Sequence, residues 1–381
     1  MKFSTKAIHI GQSPDPVTGA IVPPVYMTST YVQEHPGLTK GYDYTRAGNP
    51  NFTNLEHTLA ALENGSHAVV FSSGLAALTA IASTMSAGDS VLAVDDLYGG
   101  TYRLFKQVFE KFGVTFSQNP FTDMAEVESL LRQKPKFVLL ETPSNPLLKI
   151  VDIEAIAKIA KSYGVMTVVD NTFASPYFQN PLNLGADVVV HSSTKYLGGH
   201  SDLIGGAVIC NDAEFGAKVL FARKSLGGNP SPFEVWMVSR SVKTLAVRME
   251  KHQQNAFAIA RFFESHPLVK KVYFPGLKSH PGHEIASRQM SGFSGIVSVE
   301  FNLTLEQTEK LISSFKLFSL AESLGGVESL VDHPASMTHA SIPRADREKA
   351  GLMDGLVRFS VGLEDSDDLL TDIQSAFALI K

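Results

Sequence analysis

The segment HSSTKYLGGHSD contains a lysine whose surroundings suit covalent chemistry. Lys195 follows the hydroxyl side chains of Ser192, Ser193 and Thr194 and precedes a pair of glycines. If this lysine lies at a sheet edge where ligands bind, burial lowers the pKa of its amine and prepares it for Schiff-base formation. Most lysines are ordinary surface residues, so Lys195 indicates a site only in the company of other residues with matching chemistry.

Three other segments supply matching chemistry, each directly after a short apolar run. Asp170 ends the run VMTVV, where a carboxylate is costly unless a cationic or hydrogen-bonding partner meets it. Tyr98 precedes two glycines, so its ring could lie on a flat heterocycle while the backbone passes close by. Ser72 to Leu75 open a helix, whose free N–H groups suit a phosphate. The simpler interpretations are an Asp-capped turn, an ordinary turn tyrosine and an N-capping serine.

Together these four features predict a site for pyridoxal 5′-phosphate (PLP). This cofactor needs a lysine for its aldehyde, a carboxylate for its pyridine nitrogen, an aromatic face for its ring and N–H donors for its phosphate. Lys195, Asp170, Tyr98 and the helix start at Gly74 match these four needs. We therefore predict that Lys195, Asp170 and Tyr98 are the catalytic residues.

The elements that must position these residues follow the pattern of an α/β fold. From about residue 61, short apolar runs alternate with helix-length segments, which is typical of βαβ units and a mainly parallel sheet. The runs are HAVVF, SVLAV, KFVLLE, VMTVVD, ADVVVHS and GGAVIC. Because ligands bind at the carboxyl ends of strands in such sheets, the residues that close these runs are expected to lie together.

The chain divides into three predicted parts. Prolines and glycines punctuate residues 1–60, which are expected to run as an extended arm rather than to pack as a regular unit. Residues 61–245 form the predicted large, cofactor-binding domain. A long helical stretch from Val235 to His266 leads into residues 246–381, where alternating strands and helices predict a smaller C-terminal α/β domain.

Composition narrows the classes of protein further. The 381 residues include 44% apolar side chains, enough for a large core, which excludes global disorder. The net charge of −5 is spread along the chain, which argues against a nucleic-acid-binding protein. The single cysteine, Cys210, cannot form an intramolecular disulfide, and no segment has the apolar length of a signal peptide or a membrane span. We expect a cytoplasmic protein with no membrane or nucleic-acid partner.

Several longer motifs carry a resemblance that covers nearly the whole chain. They are GYDYTRAGNP, SSGLAAL, DDLYGGTYRLF, ETPSNPLLKIVDI, VVDNTFASPYFQNPLNLGAD, HSSTKYLGGHSD, LAESLGGVESLVDHP, MTHASIP and VRFSVGLED. In these motifs and their order the sequence resembles the Cys/Met-metabolism family of PLP enzymes: cystathionine γ-synthases, γ-lyases and β-lyases, and methionine γ-lyases. The resemblance implies a PLP-dependent transferase fold of type I, like that of aspartate aminotransferase. It also implies a homotetramer, a dimer of dimers with shared active sites.

The resemblance also implies roles for individual residues. Lys195 matches the lysine that carries the cofactor, Asp170 the partner of the pyridine nitrogen, and Tyr98 the stacking tyrosine. The residues implied to bind the phosphate are Gly74, Leu75, Ser192 and Thr194, with Tyr44 and Arg46 reaching in from the neighbouring subunit. The residues implied to bind or orient the substrate are Arg358, which would hold the α-carboxylate, Asn145, Ser323, Arg103 and Asp43.

Two reactions of the family are disfavoured by single positions. Bacterial β-lyases resemble a pattern with an aromatic residue after the serine of the AES motif, whereas here Leu324 follows Ser323. Methionine γ-lyases typically carry a cysteine soon after the stacking tyrosine, whereas Gly100 and Thr101 occupy that stretch here. Both readings are therefore less favoured.

The choice between γ-lyase and γ-synthase rests on the arm. Ala47 stands where some γ-synthases carry a second arginine, which could pair with the distal carboxylate of an acylhomoserine, although Arg103 could do the same. Asp43, where many γ-lyases have glutamate, favours the synthase slightly. We predict a cystathionine γ-lyase, which cleaves L-cystathionine to cysteine, 2-oxobutanoate and ammonia. The alternative is a cystathionine γ-synthase, which joins an O-acylhomoserine to cysteine.

Two other enzyme classes fit the sequence poorly. A metal hydrolase would need clustered ligands, and the nearest candidates, His280 and His283, have no HExxH or CxxC motif beside them. A nicotinamide dehydrogenase would fit the α/β pattern, but no GxGxxG follows the early strands. No metal site is predicted.

Overall fold

The structure, a computed structural model, describes residues 1–337, 344–349 and 351–380. Most of the MTHASIP motif, residues 338–343, therefore lies outside the described residues. Within the described chain two β-sheets are flanked by helices. None of the described helices is both long enough and apolar enough to cross a membrane. The cytoplasmic location stays a prediction.

The larger sheet confirms the predicted fold class. Its strands are β1 His67–Phe71, β2 Ser90–Val94, β3 Thr115–Asn119, β4 Phe137–Glu141, β5 Met166–Asp170, β6 Val188–Ser192 and β7 Gly206–Cys210. They lie in the order β1-β7-β6-β5-β4-β2-β3. Neighbours are parallel, except that β7 is antiparallel to β1 and β6. All six predicted runs are strands, whereas the edge strand β3 (TFSQN) is too polar to be recognised as one.

The smaller sheet belongs to the C-terminal part of the chain. Its strands are β8 Val269–Tyr273, β9 Ile296–Phe301, β10 Ser319–Leu320, β11 Leu330–Asp332 and β12 Leu356–Ser360. They lie in the order β10-β11-β12-β9-β8, with only the β10–β11 pair parallel. The predicted second α/β unit is present, and its boundary at residue 245 stays a prediction.

Fourteen α-helices lie in the described residues. They are α1 Phe3–His9, α2 Pro50–Leu62, α3 Gly74–Ala82, α4 Gly99–Arg103, α5 Met124–Leu131, α6 Ile153–Ser162, α7 Ser175–Phe178, α8 Ala213–Leu226, α9 Pro232–Ser241, α10 Leu245–Glu264, α11 His283–Gln289, α12 Leu305–Ile312, α13 Arg344–Lys349 and α14 Ser366–Phe377. A π-helical segment, Leu104–Val108, and 3₁₀ turns at Phe109–Phe112, Pro181–Leu184 and Val242–Thr244 complete the helical elements.

The long helical stretch predicted from Val235 to His266 is two helices, α9 and α10, separated by a 3₁₀ turn. At this break the carbonyl of Ser241 accepts a hydrogen bond of 3.0 Å from Nη2 of Arg248. A side chain that hydrogen-bonds to a backbone carbonyl interrupts the regular backbone hydrogen bonds of the helix at that point. The apolar periodicity on both sides gave no signal of this contact.

The prediction of an arm without regular packing is wrong for α1 and α2. Proline at the first position of α2 is compatible with a helix because its missing N–H would have no helical partner. The side chain of Asn49 caps this helix by accepting from the N–H of Asn51 at 2.9 Å. Phe52, Leu55 and Leu59 then bury one face of α2 in the core. Between α1 and α2, residues 10–49 contain no helix or strand beyond isolated bridges.

Three large apolar clusters hold the sheets in place, one of them the core that buries α2. Valines and leucines of β2, β4 and β5 are fully buried in the cluster of the larger sheet, with Phe105 and Phe137. The cluster of the smaller sheet is built around phenylalanines, among them Phe263 and Phe359. Burying each such side chain contributes roughly 1.5–3 kcal/mol, so these cores fix the strand ends that carry the site.

Candidate active site

A cavity of about 340 Å³ lies where the carboxyl ends of the parallel strands face the smaller sheet. Predicted residues from both sheets line it: Gly74, Leu75, Tyr98, Asn145, Asp170, Ser192, Thr194, Lys195, Ser323 and Arg358. The expectation that ligands bind at the carboxyl ends of the parallel strands therefore locates the site correctly. Strand β12 of the smaller sheet adds Arg358.

One end of the cavity is the start of α3. Ser73 is the N-cap, and its Oγ accepts from the N–H of Ala76 at 3.0 Å. A Cβ on Gly74 would lie 3.0 Å from Cβ of Ser192, so glycine keeps this corner open. The first N–H groups of a helix have no partner within it, and those of Gly74 and Leu75 lie at the cavity wall. This end of the cavity suits a phosphate.

Asp170 closes β5 at the floor of the cavity. Its Oδ1 accepts from the N–H of Thr172 at 3.0 Å. Burial raises the pKa of the Asp170 carboxyl, while hydrogen bonds from Thr172 and the nearby His191 act in the opposite direction. A cationic group in the cavity would favour the ionised carboxylate, which is the form that a protonated ring nitrogen needs.

Tyr98 stands at the mouth of the same cavity. Its ring is 45% exposed, and its backbone N–H donates to Oε2 of Glu141 at 2.8 Å. Gly100 follows closely, and a Cβ there would collide with the tyrosine ring. The half-open ring is available to stack on a planar ligand.

Lys195 reaches the cavity from the turn after β6. Its Nζ donates to Oγ of Ser323 at 2.8 Å. Burial, and then the charge of Arg358, lower the pKa of the Lys195 amine to about 8, while Asp332 and Glu322 act in the opposite direction. Ser323 has a φ of +93°, an unusual backbone conformation for a residue with a side chain. The amine is therefore held in place and is partly neutral near physiological pH.

Arg358 forms the opposite wall and is 2% exposed. Nη1 donates to Oδ1 of Asn145 at 2.7 Å, and Nη2 donates to the carbonyl of Ser323 at 2.9 Å. Nη2 also forms an ion pair with Asp332, which stands opposite Arg358 in the β11–β12 register. The buried Nε has no hydrogen-bond partner in the described part of the chain, so a ligand carboxylate could satisfy it.

Three acidic residues of this site were missed. Glu322 of the LAESLGG motif lines the cavity. Glu141 ends the run KFVLLE just as Asp170 ends VMTVVD, so the same signal could have found it. Asp332 gave no signal, because its pairing with Arg358 depends on strand register in the smaller sheet. Burial raises the pKa of Asp332 to about 6, although the neighbouring Arg358 lowers it.

Four predicted residues do not line the cavity of their own chain. Arg46 Nη1 donates to the carbonyl of Lys224 at 2.7 Å, and its guanidinium lies 5.5 Å from the centre of the Tyr44 ring. Asp43 and Arg103 are exposed. The arm residues were predicted to act in a neighbouring subunit, so their position outside this cavity agrees with that prediction without testing it.

Comparison with known proteins identifies the family. Residues 4–378 match the Cys/Met metabolism PLP-dependent enzyme family. The chain belongs to this family. The resemblance, the type I fold and the need for PLP that the sequence predicted are therefore confirmed, and the chain is a PLP-dependent lyase of cysteine and methionine metabolism.

Similar proteins carry names for three related reactions. A cystathionine β-lyase of Coxiella burnetii is 50% identical over 376 residues, covering 98% of this chain and 97% of that protein. A cystathionine γ-lyase of Dictyostelium discoideum is 49% identical, with the same coverage. A solved cystathionine γ-synthase of Xanthomonas oryzae pv. oryzae, in complex with aminoacrylate and cysteine, is 42% identical with a TM-score of 0.96, covering 99% of this chain and 98% of that one.

The cavity fits the cofactor of the family. The corner kept open by Gly74, the half-buried carboxylate of Asp170 and the amine of Lys195 all line one space of about 340 Å³. Among the described residues, no group of three or more histidine, cysteine, aspartate or glutamate side chains could hold a metal ion. In the SHPGH segment, His280 and His283 instead bind neighbouring backbone groups.

Proposed function

We propose that this enzyme is a cystathionine γ-lyase, which cleaves L-cystathionine to cysteine, 2-oxobutanoate and ammonia. A γ-lyase 49% identical over nearly the full length supports this proposal. The observation that carries it is the charge of the cavity lining. Among the described residues that line it, Lys195 and Arg358 are the only cations. Both have tasks at the reacting amino acid end of the substrate, so none remains for the lone carboxylate of a succinyl group. The distal carboxylate of L-cystathionine needs no such partner, because its own ammonium group stands beside it.

The proposed chemistry needs one residue that moves protons. When bound, PLP withdraws electron density from the substrate Cα and so stabilises a negative charge there. Lys195, with its pKa lowered to about 8, removes the Cα proton and returns protons later in the cycle. The bond from its Nζ to Oγ of Ser323 holds the amine in place between these transfers. Asp170 keeps a positive charge on the ring nitrogen.

Arg358 and Asn145 fix the orientation of the substrate. A guanidinium binds a carboxylate through two parallel hydrogen bonds, which defines both position and angle. Oδ1 of Asn145 holds Nη1 of Arg358 at 2.7 Å, so the arginine is oriented before the substrate arrives. A substrate α-carboxylate on this arginine would direct the Cα proton towards Lys195.

A γ-synthase is the second candidate. The solved γ-synthase with a TM-score of 0.96 supports it, since the two folds are nearly superimposable. An acetyl group carries no carboxylate, so an O-acetylhomoserine would need no third cation in the cavity. The β-lyase reading remains less favoured because of Leu324, although a protein of that name is 50% identical.

Kinetics with two substrates separate the leading candidates. The PLP-loaded enzyme is given L-cystathionine alone and, separately, an O-acylhomoserine with cysteine, and kcat/KM is measured for both. We expect the higher kcat/KM with L-cystathionine. A clear preference for the acylhomoserine would replace the γ-lyase proposal with the γ-synthase.

We also propose that the enzyme works as a homotetramer, a dimer of dimers whose active sites share residues. The arm supports this, because residues 10–49 expose apolar side chains that a partner could cover, such as Val17 (89%) and Val32 (90%). Tyr44 and Arg46 lie on this same arm. Sedimentation velocity of the purified enzyme measures the assembly state, and a monomer at micromolar concentration would contradict the proposal.

A further inference from the structure

Glu141 joins two parts of the site with one carboxylate. It is 7% exposed and lines the cavity at the end of β4. Oε2 accepts from the backbone N–H of Tyr98 at 2.8 Å, and Oε1 accepts from the backbone N–H of Asn145 at 3.1 Å. We propose that Glu141 is a positioning residue that couples the cofactor-stacking turn to the substrate-binding turn. This inference rests on the proposed roles of Tyr98 and Asn145.

The Tyr98 turn needs an anchor because little else can hold it. The ring is 45% exposed, and the two residues that follow are glycines. The carbonyl of Tyr98 accepts from Thr101 and Tyr102 at the start of α4, which ties the turn to a helix of five residues. The bond from its N–H to Glu141 ties the same residue to the rigid end of β4. The hydrogen bond to Glu141 therefore fixes the position of the Tyr98 ring relative to the cavity.

On the other side, Glu141 acts through Asn145. The N–H of Asn145 binds Glu141, while its side-chain Oδ1 accepts from Nη1 of Arg358 at 2.7 Å. Arg358 then binds the carbonyl of Ser323, whose Oγ holds Lys195. A shift of the Asn145 backbone would therefore move the arginine proposed to bind the substrate carboxylate.

A carboxylate is required because both partners are donors. Each oxygen of Glu141 accepts from a main-chain N–H, and a glutamine would turn its own NH₂ group towards one of them. A negative charge on Glu141 is unfavourable here, because the carboxylate of Asp170 stands directly opposite in the β4–β5 register. Burial, and then Asp170, raise the pKa of Glu141 well above its ordinary value, while the N–H groups of Tyr98 and Asn145 lower it.

The test compares Glu141→Gln with a matched buried carboxylate. Asp372 is also 7% exposed and accepts from the backbone N–H groups of Lys316 and Leu317, but it lies in the smaller domain and does not line the cavity. For each variant, the apo-protein is titrated with PLP, and glycine is titrated into the holoenzyme as a carboxylate probe by its absorbance change. Thermal unfolding is recorded alongside.

We expect Glu141→Gln to weaken PLP binding and glycine binding each by about tenfold, because its NH₂ group repels one main-chain N–H and so displaces the side chain from both hydrogen bonds. Asp372→Asn should lower the unfolding temperature without changing either affinity. If Glu141→Gln changes only the unfolding temperature, Glu141 is a structural residue and the inference is wrong. If the glutamine variant does not fold, Glu141→Asp, which keeps the charge but is shorter, is held to the same criteria.

A double-mutant cycle tests the coupling itself. Because Glu141 is inferred to act on the substrate through Asn145, the losses in glycine affinity of Glu141→Gln and Asn145→Ala should not multiply in the double variant. Multiplicative losses would contradict the coupling. Neither titration depends on turnover of L-cystathionine, so failure of the γ-lyase proposal is recognised separately, from the wild-type kinetics.

Discussion

The carboxyl edge of the large sheet and the N-terminal arm both carry residues predicted to bind the cofactor, but only the sheet edge brings them into the cavity of its own chain. At the edge, register fixes the neighbours, and Glu141 stands opposite Asp170. In the arm, Arg46 lies against Lys224 and Tyr44 is half exposed. The difference teaches that residues at strand ends can be predicted to meet in one cavity, whereas the arm residues, which are proposed to act in a neighbouring subunit, follow no strand end that would place them.

The largest effect is expected at the sheet edge. Lys195→Ala removes the group that moves the Cα proton, so we expect turnover of every substrate to fall at least about 10³-fold. Steady-state kinetics at saturating PLP measure this. Lys243→Ala removes a half-buried lysine outside the cavity and serves as the control, with activity close to wild type. A Lys195→Ala enzyme within tenfold of wild type would remove Lys195 from the proposed role.

The second-largest effect is expected from Arg358, which the smaller sheet contributes to the cavity at the edge of the large sheet. Arg358→Lys keeps the charge but loses the fork that grips a carboxylate, so KM for L-cystathionine should rise by about a hundredfold with a smaller change in kcat. The control is Arg132→Lys, an exposed residue of the turn after α5. An unchanged KM for Arg358→Lys would mean that another group binds the α-carboxylate.

The arm is tested by subunit mixing. Arg46→Ala should weaken PLP binding by about thirtyfold through loss of a charge-assisted hydrogen bond to phosphate. Lys195→Ala and Arg46→Ala subunits are then dissociated, mixed and reassembled. Activity is assayed at a PLP concentration that loads wild-type sites but leaves Arg46→Ala sites largely empty. If Arg46 acts in the neighbouring subunit, mixed dimers contain one intact site, and random pairing gives about a quarter of wild-type activity. No recovery after confirmed mixing would place the function of Arg46 in its own chain.

The smallest effect is the pH dependence of cofactor loading at the edge. Only the neutral amine of Lys195 reacts with the PLP aldehyde, and its pKa is lowered to about 8. The rate of PLP binding to the apo-protein should therefore fall about tenfold from pH 9 to pH 7, with a midpoint near 8. Stopped-flow absorbance measures the rate. A midpoint near 10 would show that Lys195 is not perturbed in the cavity.

The contrast between sheet edge and arm also explains which strands, helices and site residues the sequence could predict. The strands of the large sheet were predictable because VMTVV and ADVVV are short apolar runs with clear ends. Asp170 and Lys195 were predictable because they follow those ends directly. The ion pair of Arg358 with Asp332 was not, because it depends on the β11–β12 register. Helix α2 was not predictable from the proline pattern, because a proline breaks a helix everywhere except in its first turn, and Pro50 occupies the first helical position.

The identity of the products from L-cystathionine tests the central claim most directly. Cleavage on the γ side gives cysteine, 2-oxobutanoate and ammonia, whereas cleavage on the β side gives homocysteine, pyruvate and ammonia. The PLP-loaded wild-type enzyme is incubated with L-cystathionine alone, and the oxo acids and thiols are quantified by mass spectrometry. We predict 2-oxobutanoate and cysteine in equal amounts. Pyruvate and homocysteine as the main products would contradict the γ-lyase proposal.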